Sequence, residues 1–322
     1  LKPWTLHRIF ASLPDGAGAQ SIAIAAQSGG QRGIVMLLLK QDLGVKDAYL
    51  IPCSSASEQK RFLATITEEV DALAVTEDFV REALAIALGE GIEVGLLPAP
   101  GLIDVISVCG LQDLRPEARS VADMIGVIDP DGSLATMTAK QHGTLVARSS
   151  EWGVTYNLID TWFEDNADFL DALKNAKSPQ EKERGTWAFL STRRAWWARM
   201  IARTARTLNA TGDPAWLEFA ATALALETGR DLKRTPIMQA IAKQSLGAPQ
   251  NQWEPFPEEF LEELEPEYVD APTFVASEKK NELTRLLKIS NASPAWVDGF
   301  LMAIVVSPKM VAPGKWIEPL LG

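Results

Sequence analysis

The chain has 322 residues, of which 47% are hydrophobic and 23% charged, and its formal net charge at neutral pH is −11. This composition is typical of a globular protein, and the length favours more than one domain because single cores stop growing at roughly 250–300 residues. The negative charge argues against wholesale binding to nucleic acid or to an anionic membrane, since both require positive charge on the protein.

Hydropathy and cysteine content further narrow the class of protein. A membrane-spanning helix needs about 20 apolar residues in succession, and no uncharged run of that length occurs. The most apolar stretch, residues 91–111, carries Glu93 and Asp104, which indicates buried globular chain. Cys53 and Cys109 lie in apolar surroundings without the spacing of a disulfide framework. We therefore expect two buried thiols in a cytoplasmic protein.

The first part of the chain predicts an α/β domain over residues 1–145. "SIAIAAQ" and "GIVMLLLK" are predicted strands, and the glycines of the intervening "SGGQR" supply the positive φ of a hairpin turn. The near-continuous apolarity of "IVMLLL" predicts a strand that is covered on both faces. Two flanking helices are predicted at "SASEQKRFLATITEEV" and "TEDFVREALAIALGEG", and "IDPDGSLA" is predicted to be a turn between two short strands.

In the next part of the chain the apolar residues recur with helical periodicity, which predicts an all-α domain over residues 146–248. "DPAWLEFAATALALETG" and "TPIMQAIAKQSLG" each start with a capping residue followed by proline and end at glycine. Residues 249–280 are predicted to be an acidic, proline-rich linker, with eight acidic residues between Glu254 and Asp270 and no basic one. The expected fold is therefore α+β and multidomain.

The last segment, residues 281–322, predicts the first helices of a further domain. Val297, Phe300, Leu301 and Ile304 form one apolar stripe, and this short segment has more apolar helix surface than it can bury alone. Because the chain also begins with leucine rather than methionine, we expect a fragment of a longer protein. Seven residues of this segment stand out by their order and spacing: Asp298, Gly299, Phe300, Leu301, Pro308, Pro313 and Trp316.

In the order and spacing of these residues, the segment from about 280 to 322 resembles the N-terminal part of the YecA/YgfB-like family of bacterial proteins. The resemblance implies an all-helical domain. Many members carry a cysteine-rich, zinc-binding tail, and this chain has no such tail. We therefore expect no cofactor in this chain and zinc only in a tail that would follow residue 322.

The most unusual feature of the sequence is a segregation of charge. Between Lys174 and Arg234 there are twelve basic and six acidic residues, although the whole chain is acidic. In the predicted helix "STRRAWWARMIARTARTL" one stripe is basic and aromatic, which suits binding to phosphates or to an acidic partner. The candidate binding residues are Arg193, Arg194, Trp196, Arg199, Arg203 and Arg206.

Several functions are compatible with this pattern. The leading hypothesis is a non-enzymatic accessory protein that presents the basic helical face to an acidic protein partner, with the acidic linker as an internal competitor. A plainer interpretation is a solvated face that is partly paired with acidic residues of the same chain. A third is weak association with nucleic acid.

An enzyme of unknown class, with a pocket between the sheet and the helices, is the remaining alternative. His142, on a predicted loop, is a candidate for a general base. Ser54, Ser55 and Ser57 lie between a strand and a helix, where they either cap the helix or bind an anion. No established catalytic motif surrounds these residues, and the Cys and His spacings match no metal site.

Overall fold

The computed structural model describes residues 4–111, 114–117 and 119–247. These residues belong to one compact unit that spans residues 1–248. The predicted linker and the YecA-like segment, including all seven motif residues from Asp298 to Trp316, lie outside the described residues. An N-terminal antiparallel sheet precedes a helical region, which confirms the α+β prediction.

The N-terminal part is a five-stranded antiparallel sheet. Its strands are β1 (Thr5–Ala11), β2 (Ala19–Ser28), β3 (Gln31–Lys40), β4 (Gly44–Cys53) and β5 (Leu73–Ala74), and their order in the sheet is β4-β3-β2-β1-β5. The hairpin between β2 and β3 turns at Gly29 and Gly30, which have φ of 53° and 93°. Both values lie in the region that glycine adopts without steric cost.

Both faces of the sheet are covered, as the apolarity of β3 predicted. Helix α1 (Ala56–Glu69) packs through Leu63 on one face, beside Ala23 and Ile34. Helices α2 (Glu77–Glu93) and α3 (Leu102–Cys109) pack on the other face, where Leu37 is buried. Alternate residues of one strand therefore contribute to two separate cores.

The rest of the described chain is helical. Helix α10 (Arg194–Thr211) lies at its centre and packs most extensively on α11 (Trp216–Glu227), with Trp197 and Phe219 fully buried in the shared core. Among the described residues no helix is both long and apolar enough to cross a membrane. The helices are α4 (Val121–Ile128), α5 (Ser133–Thr136), α6 (Ala139–Ala147), α7 (Trp152–Thr155), α8 (Ala167–Asn175), α9 (Pro179–Thr192), α10 (Arg194–Thr211), α11 (Trp216–Glu227) and α12 (Pro236–Gly247), with 3₁₀ turns at Arg148–Glu151, Asn157–Thr161 and Leu232–Arg234.

Two local predictions were wrong. The turn at 128–135 joins helices α4 and α5 rather than two strands, and His142 lies in helix α6 rather than in a loop. Helix α6 begins at a capping box in which Thr138 and Gln141 satisfy each other's backbone N–H groups. Such a cap stabilises the start of a short helix. The apolar pattern of this segment alone is only a weak indication of a helix.

The apolar stretch at 91–111 is also only partly buried. Ile92, Val94 and Leu97 are exposed, and the side chain of Leu97 retains 74% of its accessible surface. Helix α2 ends here, and the chain turns at Gly95 with a φ of 71°. The prediction of continuous burial was therefore wrong for residues 92–97.

Candidate interaction surface

The predicted basic stripe of α10 faces the sheet and α2 instead of solvent. The side chains of Arg203 and Arg206 retain 6% and 4% of their accessible surface. Arg199 is less buried, at 32%. The expectation of an exposed binding face was therefore wrong for the two buried arginines. Each arginine pairs with a carboxylate of the N-terminal part: Arg199 with Asp42, Arg203 with Glu90 and Arg206 with Glu82.

We call this row the arginine seam: Arg199, Arg203, Arg206 and their three carboxylate partners. Neutral hydrogen bonds extend it in both directions. The Gln41 side chain donates to the backbone oxygen of Trp196 at 2.8 Å, and the Gln20 side chain donates to the hydroxyl of Thr207 at 2.9 Å. The seam thus joins α10 to the sheet through polar contacts, which is the internal pairing that the plainer interpretation anticipated.

Arg193 and Trp196 lie at the start of α10, beside a buried carboxylate. Glu164 accepts hydrogen bonds from the indole of Trp197 at 2.7 Å and from Arg193 at 3.2 Å. Burial raises the pKa of Glu164, against the opposing effect of the Arg193 charge. The Arg193 guanidinium also lies 4.1 Å from the ring centroid of Trp196. Both predicted site residues are therefore engaged within the protein.

Arg194 belongs to a different surface, which lies beside the 3₁₀ turn at 232–234. It donates a 2.7 Å hydrogen bond to the backbone oxygen of Arg230. The ammonium of Lys233 lies 5.8 Å from the ring centroid of Trp187, and Arg234 is exposed. We call this surface the basic patch: Trp187, Arg194, Arg230, Lys233 and Arg234.

The basic patch carries positive charge that the protein neutralises only in part. Arg234 lies 3.6 Å from Asp231, whose carboxylate also accepts the backbone N–H of Lys233. Within the described part of the chain, no carboxylate forms an ion pair with Arg194, Arg230 or Lys233. Four basic side chains are thus balanced by one carboxylate.

His142 is half-buried on α6. Burial lowers its pKa, and the positive charge of Arg230 lowers it further, so the environment favours the neutral form of the imidazole. Helix α6 packs on α11, whereas the serines at 54–57 begin α1 on the sheet. Because these residues occupy different layers, their placement gives the enzyme hypothesis no support.

The serines at 54–57 form a helix cap. The Ser55 hydroxyl accepts the backbone N–H of Glu58, and the Ser54 hydroxyl donates to the Glu58 carboxylate at 2.5 Å. The Glu58 carboxylate therefore occupies the place that an external anion would take. Ser57 is exposed and follows these caps.

Both cysteines are free and buried. Burial raises the pKa of Cys109 to about 12 and also raises that of Cys53. Among the described residues, no group of three or more His, Cys, Asp or Glu side chains is placed to hold a metal ion.

Comparison with known proteins relates the chain to a bacterial protein that is itself uncharacterised. Residues 122–250 match the family model for the Y4lR C-terminal helical domain. Over 241 residues the chain is 32% identical to "Uncharacterized protein y4lR" of Sinorhizobium fredii (strain NBRC 101917 / NGR234). The match covers 74% of this chain and 46% of the relative, so the chain spans about half the length of the curated relative it matches. No solved structure matches significantly.

These matches support a relationship to uncharacterised bacterial proteins and do not support the more specific YecA/YgfB resemblance. The matched helical domain includes the whole of α10 and the basic patch, whereas the carboxylates of the seam come from residues 42–90. The seam therefore joins the helical region that matches the family model to the preceding sheet region.

Sequence reasoning did not single out four residues of the basic patch: Trp187, Arg230, Lys233 and Arg234. All four fall within the basic segment, but Lys233 lies 46 positions after Trp187 in the chain. A short 3₁₀ turn, capped by Asp231, brings Lys233 to α9, and a three-residue turn leaves no periodic signal in the sequence.

Proposed function

We propose that this protein is a cytoplasmic accessory protein, without a catalytic role of its own, that binds an acidic segment of a protein partner through the basic patch. The observation that carries the proposal is that Arg194, bonded to the backbone oxygen of Arg230, and Lys233, which lies over Trp187, form no ion pair with a carboxylate of the described residues, and neither does Arg230. A carboxylate-rich segment complements this surface, because guanidinium groups form charge-assisted hydrogen bonds with carboxylates.

The proposal keeps the acidic protein partner that the sequence suggests, but it assigns the binding to mostly different residues. Arg203 and Arg206 are committed to the seam, and Arg194 is the residue common to both descriptions. The acidic segment from Glu254 to Asp270 has the chemistry that the patch would recognise. Its role as an internal competitor stays a prediction.

Fluorescence anisotropy of a labelled glutamate-rich peptide, titrated with the full chain, tests the proposal. The variant Arg194→Ala/Lys233→Ala removes two charges from the patch, and we expect it to weaken binding by about tenfold, because exposed charge pairs contribute up to about 1 kcal/mol each. The matched control, Lys46→Ala/Lys60→Ala, removes two exposed charges from the sheet region and should leave the affinity unchanged.

Three results would contradict the proposal. One is equal binding by the patch variant and the control variant. Another is binding that does not weaken between 50 and 200 mM salt, because surface charge interactions are screened in that range. The third is tighter binding of single-stranded DNA than of the peptide, which would favour the nucleic-acid alternative.

For residues 281–322 we propose the helical YecA-like module that the sequence suggests. Far-ultraviolet circular dichroism of the full chain and of a chain ending at residue 248 tests this proposal. Additional helical signal in the longer chain is expected, and an unchanged total helical signal would contradict it.

A further inference from the structure

The position of His142 follows from the way in which α6 packs on α11. Arg148, which ends α6, forms an ion pair at 3.1 Å with Glu218, in the first turn of α11. The two helices also pack along each other. Because the end of α6 lies at the start of α11, the helices can overlap in this way only if they run antiparallel. His142, near the start of α6, therefore lies toward the end of α11.

The end of α11 leads directly into the basic patch. The chain turns at Gly229, with a φ of 89°, and the backbone N–H of Arg230 donates to the backbone oxygen of Ala225 at 2.9 Å. The backbone oxygen of Arg230 in turn accepts the hydrogen bond from Arg194. Besides burial, the charge of Arg230 lowers the pKa of His142, which agrees with this placement. His142 therefore adjoins the arginines of the patch.

The imidazole of His142 is available to a bound carboxylate. The residue is half-buried and forms no side-chain hydrogen bond or ion pair within the part of the chain that the structure describes. Helix α11 and the 3₁₀ turn at 148–151 pack on α6, and Arg148 and Glu218 of these elements are paired with each other. The charged residues of α6, of the 3₁₀ turn and of α11 are Lys140, Arg148, Glu151, Glu218 and Glu227.

We propose that His142 is the pH-sensitive member of the basic patch: when the acidic segment binds, this imidazole takes up one proton from solvent, so the affinity rises as the pH falls. The inference rests on the proposed function and adds a means of regulation to the same site. A histidine suits this role because its charge changes within the physiological range of pH.

The direction of the effect follows from the charges around the imidazole. A carboxylate bound at Arg230 offsets the positive charge that disfavours the imidazolium, so the pKa of His142 should be higher in the complex than in the free protein. Protonation and binding then strengthen each other by the same factor. The gain in affinity is fully present below the pKa of the free protein, which lies under the ordinary value of 6.5. It is lost as the pH rises through the pKa of the complex.

The experiment measures fluorescence anisotropy of the labelled glutamate-rich peptide with the full chain between pH 5.5 and pH 8. The wild type and His142→Gln should bind about equally at pH 8, and the wild type about two- to fivefold more tightly at pH 5.5, as expected for one partly exposed charge pair. The glutamates of the peptide titrate in both measurements, so their effect cancels in the ratio. His7→Gln, at the other histidine of the chain, on β1, is the matched control and should keep the wild-type profile.

Proton NMR gives a second and direct measurement. The variant His7→Gln has a single imidazole, so the titration of His142 can be followed without overlap. Saturating peptide should raise the pKa of His142. Adding Arg230→Met to this variant should raise the pKa of His142 in the absence of peptide, because it removes the neighbouring positive charge.

The outcomes separate the inference from the proposed function. Peptide binding with the same pH profile in the wild type and in His142→Gln overturns the inference and leaves the proposed function intact. A titration of His142 that is unchanged by bound peptide, or unchanged by Arg230→Met, also overturns the inference alone, since His142 would then not adjoin the binding site. Failure of the peptide to bind at any pH overturns the proposed function and the inference together.

Discussion

Arg203 of α10 donates a 2.5 Å hydrogen bond to Glu90 of α2, and the two side chains retain only 6% and 11% of their accessible surface. Glu90 also accepts the backbone N–H of Asp42, whose carboxylate in turn pairs with Arg199. Asp42 has a φ of 62°, so this contact fixes an unusual backbone conformation in the β3–β4 turn. The relationship connects three parts of the chain: the helical region, α2 and the sheet.

Removing one member of this pair should be costly. Arg203→Met leaves the Glu90 carboxylate buried without its partner, and we expect a loss of about 3–5 kcal/mol in the free energy of unfolding. The double variant Arg203→Met/Glu90→Leu removes both charges and should recover most of this loss. Denaturant unfolding gives the free energy of unfolding of the wild type, the single variant and the double variant.

The exposed pair of Arg234 and Asp231 provides the control. Both side chains are largely accessible, and Arg234→Ala should change the free energy of unfolding by less than about 1 kcal/mol. Equal effects of the substitutions at 203 and at 234 would show that Arg203 is not buried as described.

Much of the architecture was predictable from the sequence, because its signals are local. The hairpin at Gly29 and Gly30, the cap at Thr76 and the proline at the start of α12 each act within a few residues. The surface that the arginine stripe contacts was not predictable from the sequence. An arginine that faces water and an arginine that faces Glu90 have the same helical spacing, and 113 residues separate Arg203 from its partner.

The turn at residues 15–18 makes a second polar connection between the sheet and the helical region. The backbone N–H of Gly16 donates to the hydroxyl of Thr161, and the indole of Trp162 donates to the backbone oxygen of Pro14 at 2.9 Å. A Cβ on Gly16 would lie 1.9 Å from the backbone oxygen of Thr161.

Gly16→Ala should therefore destabilise the protein by about 1–3 kcal/mol, since a backbone atom cannot yield as a flexible side chain can. Gly126→Ala is the matched control, in a helix with open space around the new methyl group, and should be neutral or stabilising by up to about 1 kcal/mol. Thermal unfolding ranks the two variants, and a Gly16→Ala variant as stable as the control would contradict the described packing.

Glu164 predicts a pH dependence of stability. Its pKa in the folded protein is raised above the ordinary value of 4.5, so the folded state binds the proton more tightly than the unfolded state does. The resulting stabilisation is fully present below about pH 4.5 and is lost as the pH rises through the raised pKa.

The variant Glu164→Gln cannot titrate at this position. The free energy of unfolding of the wild type, minus that of this variant, should fall as the pH increases from about 4.5 through the raised pKa. Urea unfolding at a series of pH values gives this difference. A difference that rises with pH would mean that the Arg193 charge outweighs the effect of burial.

The two cysteines should be unreactive in the folded protein. Thiolates are the reactive form, and burial raises the pKa of both thiols, that of Cys109 to about 12. An aromatic disulfide reagent at pH 8 should label neither thiol in native buffer and both in denaturant. Rapid native labelling of Cys109 would contradict its burial in the core that α3 shares with α2 and the sheet.

The central claim is that the basic residues of one segment divide into a buried seam and a partly exposed patch, and that the patch is the binding surface. Arginine modification with phenylglyoxal, mapped by mass spectrometry with and without the glutamate-rich peptide, tests both parts at once. Arg203 and Arg206 should stay unmodified in the native protein, whereas Arg234 should react and should be protected by the peptide. Modification of Arg203 and Arg206 at the rate of Arg234, or a peptide that leaves Arg234 fully reactive, would contradict the account.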